Sequence, residues 1–546
     1  MLLVLALLAA LLAGAAERAG AQEVARTGAP ILEVKQVGWD GMVVPGTWSP
    51  LRARVTGGSA DLNARVEVVL NARYQPGPQA TPLEYPVAAY GQDVTLPAGV
   101  AKDLTIWVPA EGSMGGTVRL VVGGQPLAEE RVEFRTTGNP YWPLVGVLAE
   151  SPTVARSVSQ VELPYQGLPI PLSVVRLAAA DLPPTAELMS ALSGLVVQGN
   201  AAASLTGEQR RVVHEWVTAG GHLVLAGGPD APRTAGVLPT GVLPASFAGS
   251  VEASDLAALA RWVGTHETIP SQGPAARIEA SGATPLAGSA ERPLVWRLEM
   301  GQGGVTLLAV DPALEPLASW AGTPALLKKA LEPALPVPGE EIGIASFRLV
   351  EHNRAMQLMG VVEALPPEAF PTWQTVALVL GGFALLVGPL AYLVLWRVDR
   401  RGWVWLLVPA AAVLTSGALY FLGIGRGGRD VLGNVVAHVR LDPEGRQARE
   451  SLAAGFFAPT HPWLRVTVPG SAPVRALSPQ SGLVIGPGRM PIAASAEPPF
   501  HVLSGRDTQV EFSTGQWATR TVLLERSLGN EVGGVTARLG IEDGLL

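Results

Sequence analysis

Three polar side chains and one glycine carry the chemistry this sequence offers: Asn200, Gly228, Asp230 and Asp311. Each follows closely on a short apolar run, at 194–198, 222–226 or 305–310. If those runs are parallel strands, their carboxyl ends meet in the crevice where α/β sheets hold ligands. An amide and two carboxylates there would bind a polar ligand or divide acid and base roles between them. The competing interpretation is solvated loop residues and helix caps. Gly227-Gly228 ahead of Pro229-Asp230 would offer backbone N–H groups to an anion, but no helix start and no Walker pattern follows it. The chain has no cysteine, which removes thiolate nucleophiles, disulfides and thiolate metal sites. Its histidines are His214, His222, His266, His352, His438, His461 and His501, and none lies at His-x-x-x-His or His-Glu-x-x-His spacing. The sequence therefore predicts neither a metal nor a cofactor.

The elements that must position these residues lie within 141–335. Near-continuous apolar runs at 144–148, 172–177, 194–198, 222–226 and 305–310 alternate with helical stretches, the pattern of a parallel sheet covered on both faces. One helix opens at Thr206. Its hydroxyl caps the first turn while Gln209 reaches back, and Val212, Val213, Trp216 and Val217 share a face. Gly220-Gly221 supplies the stop. Ser254 is expected to cap a second helix carrying Leu256, Leu259, Ala260 and Val263 inward, and Thr323-Pro324 to open a third.

The phrase Gly194-Leu-Val-Val-Gln-Gly199, the Thr206 helix and then His222-Leu-Val-Leu-Ala-Gly-Gly228 together resemble the centre of a class I glutamine amidotransferase-like domain. The resemblance covers roughly 190 residues and implies a flavodoxin-like parallel α/β fold. In active members of that family the matching strand ends in Gly-x-Cys-x-Gly, and His-Pro-Glu follows a late strand. Here Gly228 falls at the cysteine position and Asp311-Pro312-Ala313 at the His-Pro-Glu position. The resemblance thus implies the fold without the catalytic triad, since no thiolate or activated hydroxyl is left for a covalent route.

The rest of the chain surrounds this domain. Residues 30–137 alternate apolar and polar in short runs between Gly, Pro and Asn turns, and predict about seven antiparallel strands in an immunoglobulin-like β-sandwich. Trp39, Trp48 and Trp107 there would form either a ligand platform or core. Residues 1–21 read as a signal peptide closing on Ala19-Gly20-Ala21, or as an uncleaved anchor. A β and proline-rich stalk at 336–371, with strands at 342–350 and 356–363, leads to two uncharged stretches at 373–396 and 403–425. Each reaches the roughly 20 apolar residues that cross a bilayer. The six-residue turn between them makes an antiparallel transmembrane hairpin the expectation. The export signal, with no Lys or Arg from 357 to 372, puts that turn, which carries Arg397, Arg400 and Arg401, in the cytoplasm. Pro389 and Pro409 lie within the two stretches. Runs at 435–441, 464–468, 509–512, 520–524 and 535–541 predict a C-terminal β domain over 430–546. Its last strand lacks a return partner, as in a truncated chain or a natural end after an edge strand. The layout resembles large uncharacterised bacterial envelope proteins that join a sandwich, an amidotransferase-like domain and a membrane hairpin.

A net charge of −7 without a basic patch excludes nucleic acid as the expected partner. The expected partners are the lipid bilayer and other envelope or membrane proteins, with the bulk of the chain outside the cytoplasm. The leading function is a non-enzymatic, membrane-anchored envelope protein that binds or scaffolds those partners. The alternatives are a carboxylate-dependent hydrolase or transferase acting through Asp230 and Asp311, and an accessory subunit of a membrane transporter.

Overall fold

Strands dominate the chain. The computed structural model describes residues 28–74, 83–110, 113–135, 142–165, 168–253, 255–335, 357–358, 360–362, 373–397, 401–425, 431–441, 448–457, 463–477, 500–513 and 519–528. The first region holds β1 (Ile31–Val37), β2 (Trp48–Thr56), β3 (Leu62–Tyr74), β4 (Leu83–Leu96), β5 (Ala101–Pro109), β6 (Ser113–Val122) and β7 (Gln125–Glu133). Period-two patterning drives them. In β2, Leu51, Ala53 and Val55 are buried while Arg52 and Arg54 between them reach outward.

The second region contains β8 (Leu144–Ala149), β9 (Glu162–Tyr165), β10 (Leu168–Pro171), β11 (Ser173–Arg176), β12 (Gly194–Gln198), β13 (His222–Ala226), β14 (Ala245–Ala253), β15 (Gly273–Ala280), β16 (Thr284–Gly288), β17 (Pro293–Met300) and β18 (Gly303–Leu308). Its sheet runs β11-β8-β12-β13-β18-β17-β16, and the first five strands are parallel. Counted along the chain, those five stand in the order 2-1-3-4-5, with β17 and β16 added antiparallel. Every residue of β12 and β13 is buried, as expected of strands covered on both faces.

The covering helices include α1 (Pro152–Ser159), α2 (Gly207–Thr218), α3 (Ala231–Thr234), α4 (Ala257–Val263) and α5 (Thr323–Ala330). α2 has the expected capping box: Gln209 N–H donates to Thr206 Oγ1 at 3.2 Å, and Thr206 N–H donates to Gln209 Oε1 at 3.0 Å. Its four apolar residues are buried, each worth about 1.5–3 kcal/mol. α5 opens on Thr323-Pro324 as expected. α4 begins later than expected, at Ala257, after Leu256 and without a side-chain cap; Ser254 lies outside the described residues.

The third region supplies β19 (Leu432–Leu441), β20 (Ala448–Phe457), β21 (Trp463–Val468), β22 (Val474–Leu477), β23 (Phe500–Leu503), β24 (Thr508–Ser513) and β25 (Arg520–Leu528). The expectation of a self-contained domain at 430–546 needs correcting here. β21, β24 and β23 continue the sheet of the first region, in the order β21-β24-β23-β4-β3-β6-β7. The join is parallel: His501 stands opposite Ala89, Val502 opposite Tyr90 and Leu503 opposite Gly91. The sheet β19-β20-β25-β22 shares one core with it, in which Val66, Val68 and Leu120 meet Phe500, Phe512, Val522 and Leu524. β1, β2 and β5 form a third sheet against the same core. Period-two alternation announces a strand and its buried face but not its neighbour, so two regions far apart in sequence read as two sandwiches.

The stalk also differs. The described residues of 357–362 are helical, not extended, and Leu358 and Val362, one helical turn apart, pack on Ala453 and Leu523. The expected strands at 342–350 and 535–541 and the leader at 1–21 lie outside the described residues. Trp39 and Trp48 are core residues, each 2% exposed, whereas Trp107 is half-buried.

Against the two expected spans, one helix among the described residues, α6 (Trp373–Arg397), is long and apolar enough to cross a membrane. It bears a π-helical turn, Leu386–Leu390, around Pro389, a ring without an N–H to donate. α7 (Val404–Gly425) is also apolar, and within the described residues Val404–Gly417 forms a shorter apolar stretch. The chain as a whole is mixed α/β, with many sheets and few helices.

Candidate functional site

Because β8, β12, β13 and β18 run parallel, the residues that follow them emerge at one end of the sheet. There Glu150 follows β8, Gln198 ends β12, Gly227-Gly228 follow β13 and Asp311 lies just beyond β18. Asp311 is 4% exposed, so it is not the solvated loop residue that one interpretation of the sequence expected. Gln198 Nε2 donates to Asp311 Oδ2 at 2.8 Å, and the Ala313 N–H donates to Oδ1 at 2.8 Å. Gln198 Oε1 in turn accepts the Ser151 N–H at 3.2 Å. Burial raises the Asp311 pKa, the two hydrogen bonds oppose that rise, and the nearby charges of Asp230 and Glu150 add to it.

Gly228 sits at the apex of a strand-to-helix turn, with φ at +47°. A 3₁₀ turn over Gly228–Asp230 leads straight into α3, with a proline at the second position of each. A short helix therefore does start here, contrary to the sequence expectation; Pro229 and Pro232 fit the first helical turn, where a missing N–H costs nothing. This is the shape of an elbow that would present a nucleophile. Its apex cannot accept one as it stands. A Cβ on Gly228 would lie 2.8 Å from both the Cβ and the N of Asp311. Gly227 is as restricted, since its Cβ would lie 2.4 Å from Ala231 Cα.

The remaining expected residues lie around this point with different roles. Asp230 faces outward and accepts from Arg233 Nη1 at 2.8 Å. The Asn200 carbonyl accepts the Ala203 N–H at 2.9 Å, while among the described residues its side chain bonds to neither carboxylate. Gly199, with φ at +65°, brings that loop against Glu150, where a Cβ would meet Oε2 at 2.8 Å. Buried Thr234 locks the arrangement by donating from Oγ1 to the Gly199 carbonyl at 2.7 Å. Sequence reasoning missed Glu150 and Gln198. The available signal was a polar residue directly ending an otherwise apolar, doubly covered strand. Among the described residues no group of three His, Cys, Asp or Glu side chains is placed to hold a metal.

His222 lies at the opposite end of β13 and is 3% exposed. Its Nε2 stands 3.0 Å from Thr306 Oγ1 and 3.1 Å from the Ala330 carbonyl. Burial lowers its pKa to about 4, so it is a neutral packing residue at ordinary pH. The crevice is thus built on a buried carboxyl held by Gln198 and the Ala313 N–H.

Residues 30–135 match the model of a domain of unknown function, DUF8726. No curated protein matches the chain. Among solved structures it is similar to the cytoplasmic protein STM3548 of Salmonella typhimurium, at 13% identity and a TM-score of 0.27, over 35% of this chain and 98% of that one. It is also similar to the sporulation control protein Spo0M of Bacillus subtilis, at 10% identity and a TM-score of 0.18, over 24% of this chain and 55% of that one. A third similarity is to the exo-β-1,4-mannosidase Op5Man5 of Opitutaceae bacterium strain TAV5, at 16% identity and a TM-score of 0.21, over 35% of this chain and 34% of that one.

Proposed function

We propose that the chain is a non-enzymatic protein of a bacterial envelope, held in the membrane by a helical hairpin, whose extracytoplasmic modules bind or scaffold envelope partners. One observation carries the placement. β4 precedes the two apolar helices and β23 follows them, yet they are neighbours in one sheet. Strands that exchange backbone hydrogen bonds lie on the same side of a bilayer, so the chain between them crosses an even number of times. With α6 as one span, α7 is the available return.

The 2-1-3-4-5 strand order supports a flavodoxin-like, glutamine amidotransferase-like fold for 141–335. The glycine apex beneath Asp311 supports reading it as a pseudoenzyme. Sheets sharing one core support a sandwich of immunoglobulin type, completed by the third region. The carboxylate-enzyme alternative draws on the raised Asp311 pKa, but that group is covered and its oxygens are engaged.

The chain has no cysteine, so single substitutions can be labelled without background. Ala60→Cys and Arg506→Cys, at exposed positions before and after the helices, should both react with an impermeant maleimide from outside intact cells. Gly402→Cys, in the turn, should react only after permeabilisation. Labelling of the first two from opposite sides, or of both only from the cytoplasm, refutes the placement.

A further inference from the structure

A cleft of about 510 Å³ opens where the three regions of the chain meet, a size that suits a small ligand. Its walls come from β2, β4 and β5, from residues 180–182, 184 and 188 of the α/β region, and from residues 471–474, 502, 504, 505 and 508 after the apolar helices. We propose that this cleft is a binding site for an uncharged saccharide. This narrows the envelope-partner reading to a glycan, and it rests on that reading only for where the glycan would be met.

The lining decides the class of ligand. The charges present are already matched. Arg52 Nη2 pairs with Asp181 Oδ1 at 2.5 Å and Nη1 donates to Gln36 Oε1 at 3.2 Å, while Asp93 is paired with Arg65 at 2.8 Å. Among the described lining residues Arg52 and both acids are thus already paired, which leaves no free lining cation for a phosphate or carboxylate. The uncharged polar lining includes the amide of Gln92 and the hydroxyls of Thr105, Ser471 and Ser504, which both donate and accept as sugar hydroxyls do, while the hydroxyls of Tyr90 and Thr508 are bonded to backbone. The apolar platform is Trp107. It is half-buried and is backed by the buried Trp39, whose ring centroid lies 5.5 Å away at an angle of 55°. A ring fixed from behind and open in front presents a negative π face to the C–H groups of a pyranose, while its neighbours meet the hydroxyl rim. A purely apolar ligand would leave the polar part of the wall desolvated without partners.

Gly505 offers a way to close the cleft without disturbing the fold. It is exposed at the rim, its φ lies outside the left-handed region, and an added Cβ meets only Asp507 O, at 3.5 Å. The test is calorimetric titration of the full chain in a detergent without a sugar headgroup, using chitotetraose and cellotetraose as neutral probes. At least one should bind saturably with a submillimolar Kd, weakened about tenfold or more by Gly505→Phe and also by Gln92→Ala. No binding of either probe up to about 10 mM overturns the proposal. So does binding that both variants leave unchanged. Labelling of the cysteine variants reads the membrane placement separately, so a correctly oriented chain that ignores both saccharides sinks only this inference.

Discussion

Replacing Gly228 by alanine probes the claim that the elbow of the α/β region is closed to a nucleophile. Two contributions add. A residue with a Cβ in the left-handed region is strained by about 1–2 kcal/mol. The new Cβ, 2.8 Å from the Cβ and the backbone N of Asp311, must also push back a residue whose carboxyl is held by Gln198 and the Ala313 N–H, an overpacking of about 1–3 kcal/mol. Gly282→Ala is the matched control, with φ at +70° and nothing within 4 Å of the added atom, so it carries strain alone. Hydrogen exchange of the β13 and β18 amides reads local opening. A loss of about 3 kcal/mol accelerates their exchange roughly 150-fold, against about tenfold for the control. If Gly228→Ala accelerates exchange no more than Gly282→Ala, Asp311 does not fill the position. The case against a nucleophile there then fails.

Two further outcomes follow from the same packing. His222 has its folded pKa lowered from 6.5 to about 4. The stability it contributes is therefore fully present above 6.5 and is lost as pH falls through 4. The loss amounts to about 3 kcal/mol at 1.36 kcal/mol per factor of ten. Asp311 has the opposite sign: its folded pKa is raised, so protonation on acidification favours the fold. Urea midpoints from pH 7 to 4 should fall for the native chain and fall further for Asp311→Asn. Midpoints that do not move would remove the burial argument for His222. Phe512→Ala opens the shared core, where the ring is fully buried and lies 5.3 Å from Phe500, and should cost about 3–5 kcal/mol. Limited proteolysis should then cut within 62–96 as well as within 500–528; cuts confined to the latter would show two independent β units.

The local elements were largely written in the sequence. Thr206 and Gln209 form the capping box their spacing predicts, because a cap needs only residues three apart. The parallel strands at 194–198 and 222–226 were legible as short apolar runs between helices. Long-range pairing was not. His501, Val502 and Leu503 reach β4 across most of the chain, and no residue in either strand names the other. The helix at 357–362 was misread as a strand because Leu358 and Val362 fit both periods in so short a run. In the crevice, Asp311 and Gly228 were found from their places after strands. Their direct packing, and the part played by Gln198, depended on side-chain direction, which strand position alone does not give.

The short parallel join between β4 and β23 gives the two inferences a common physical basis. Three register pairs and the Ser504 N–H donating to the Gly91 carbonyl at 2.8 Å are a small number of hydrogen bonds, so the buried aromatic core must supply most of the cohesion. Such a join can form across the long stretch between the strands, because the closure entropy of a long loop grows only slowly with its length. The cleft lies on this seam, with Gln92 on one side and Ser504 and Gly505 on the other. A ligand there touches both halves at once. It would stabilise their union by RT ln(1 + [L]/Kd), so saccharide binding and protection of β4 and β23 from exchange must rise together.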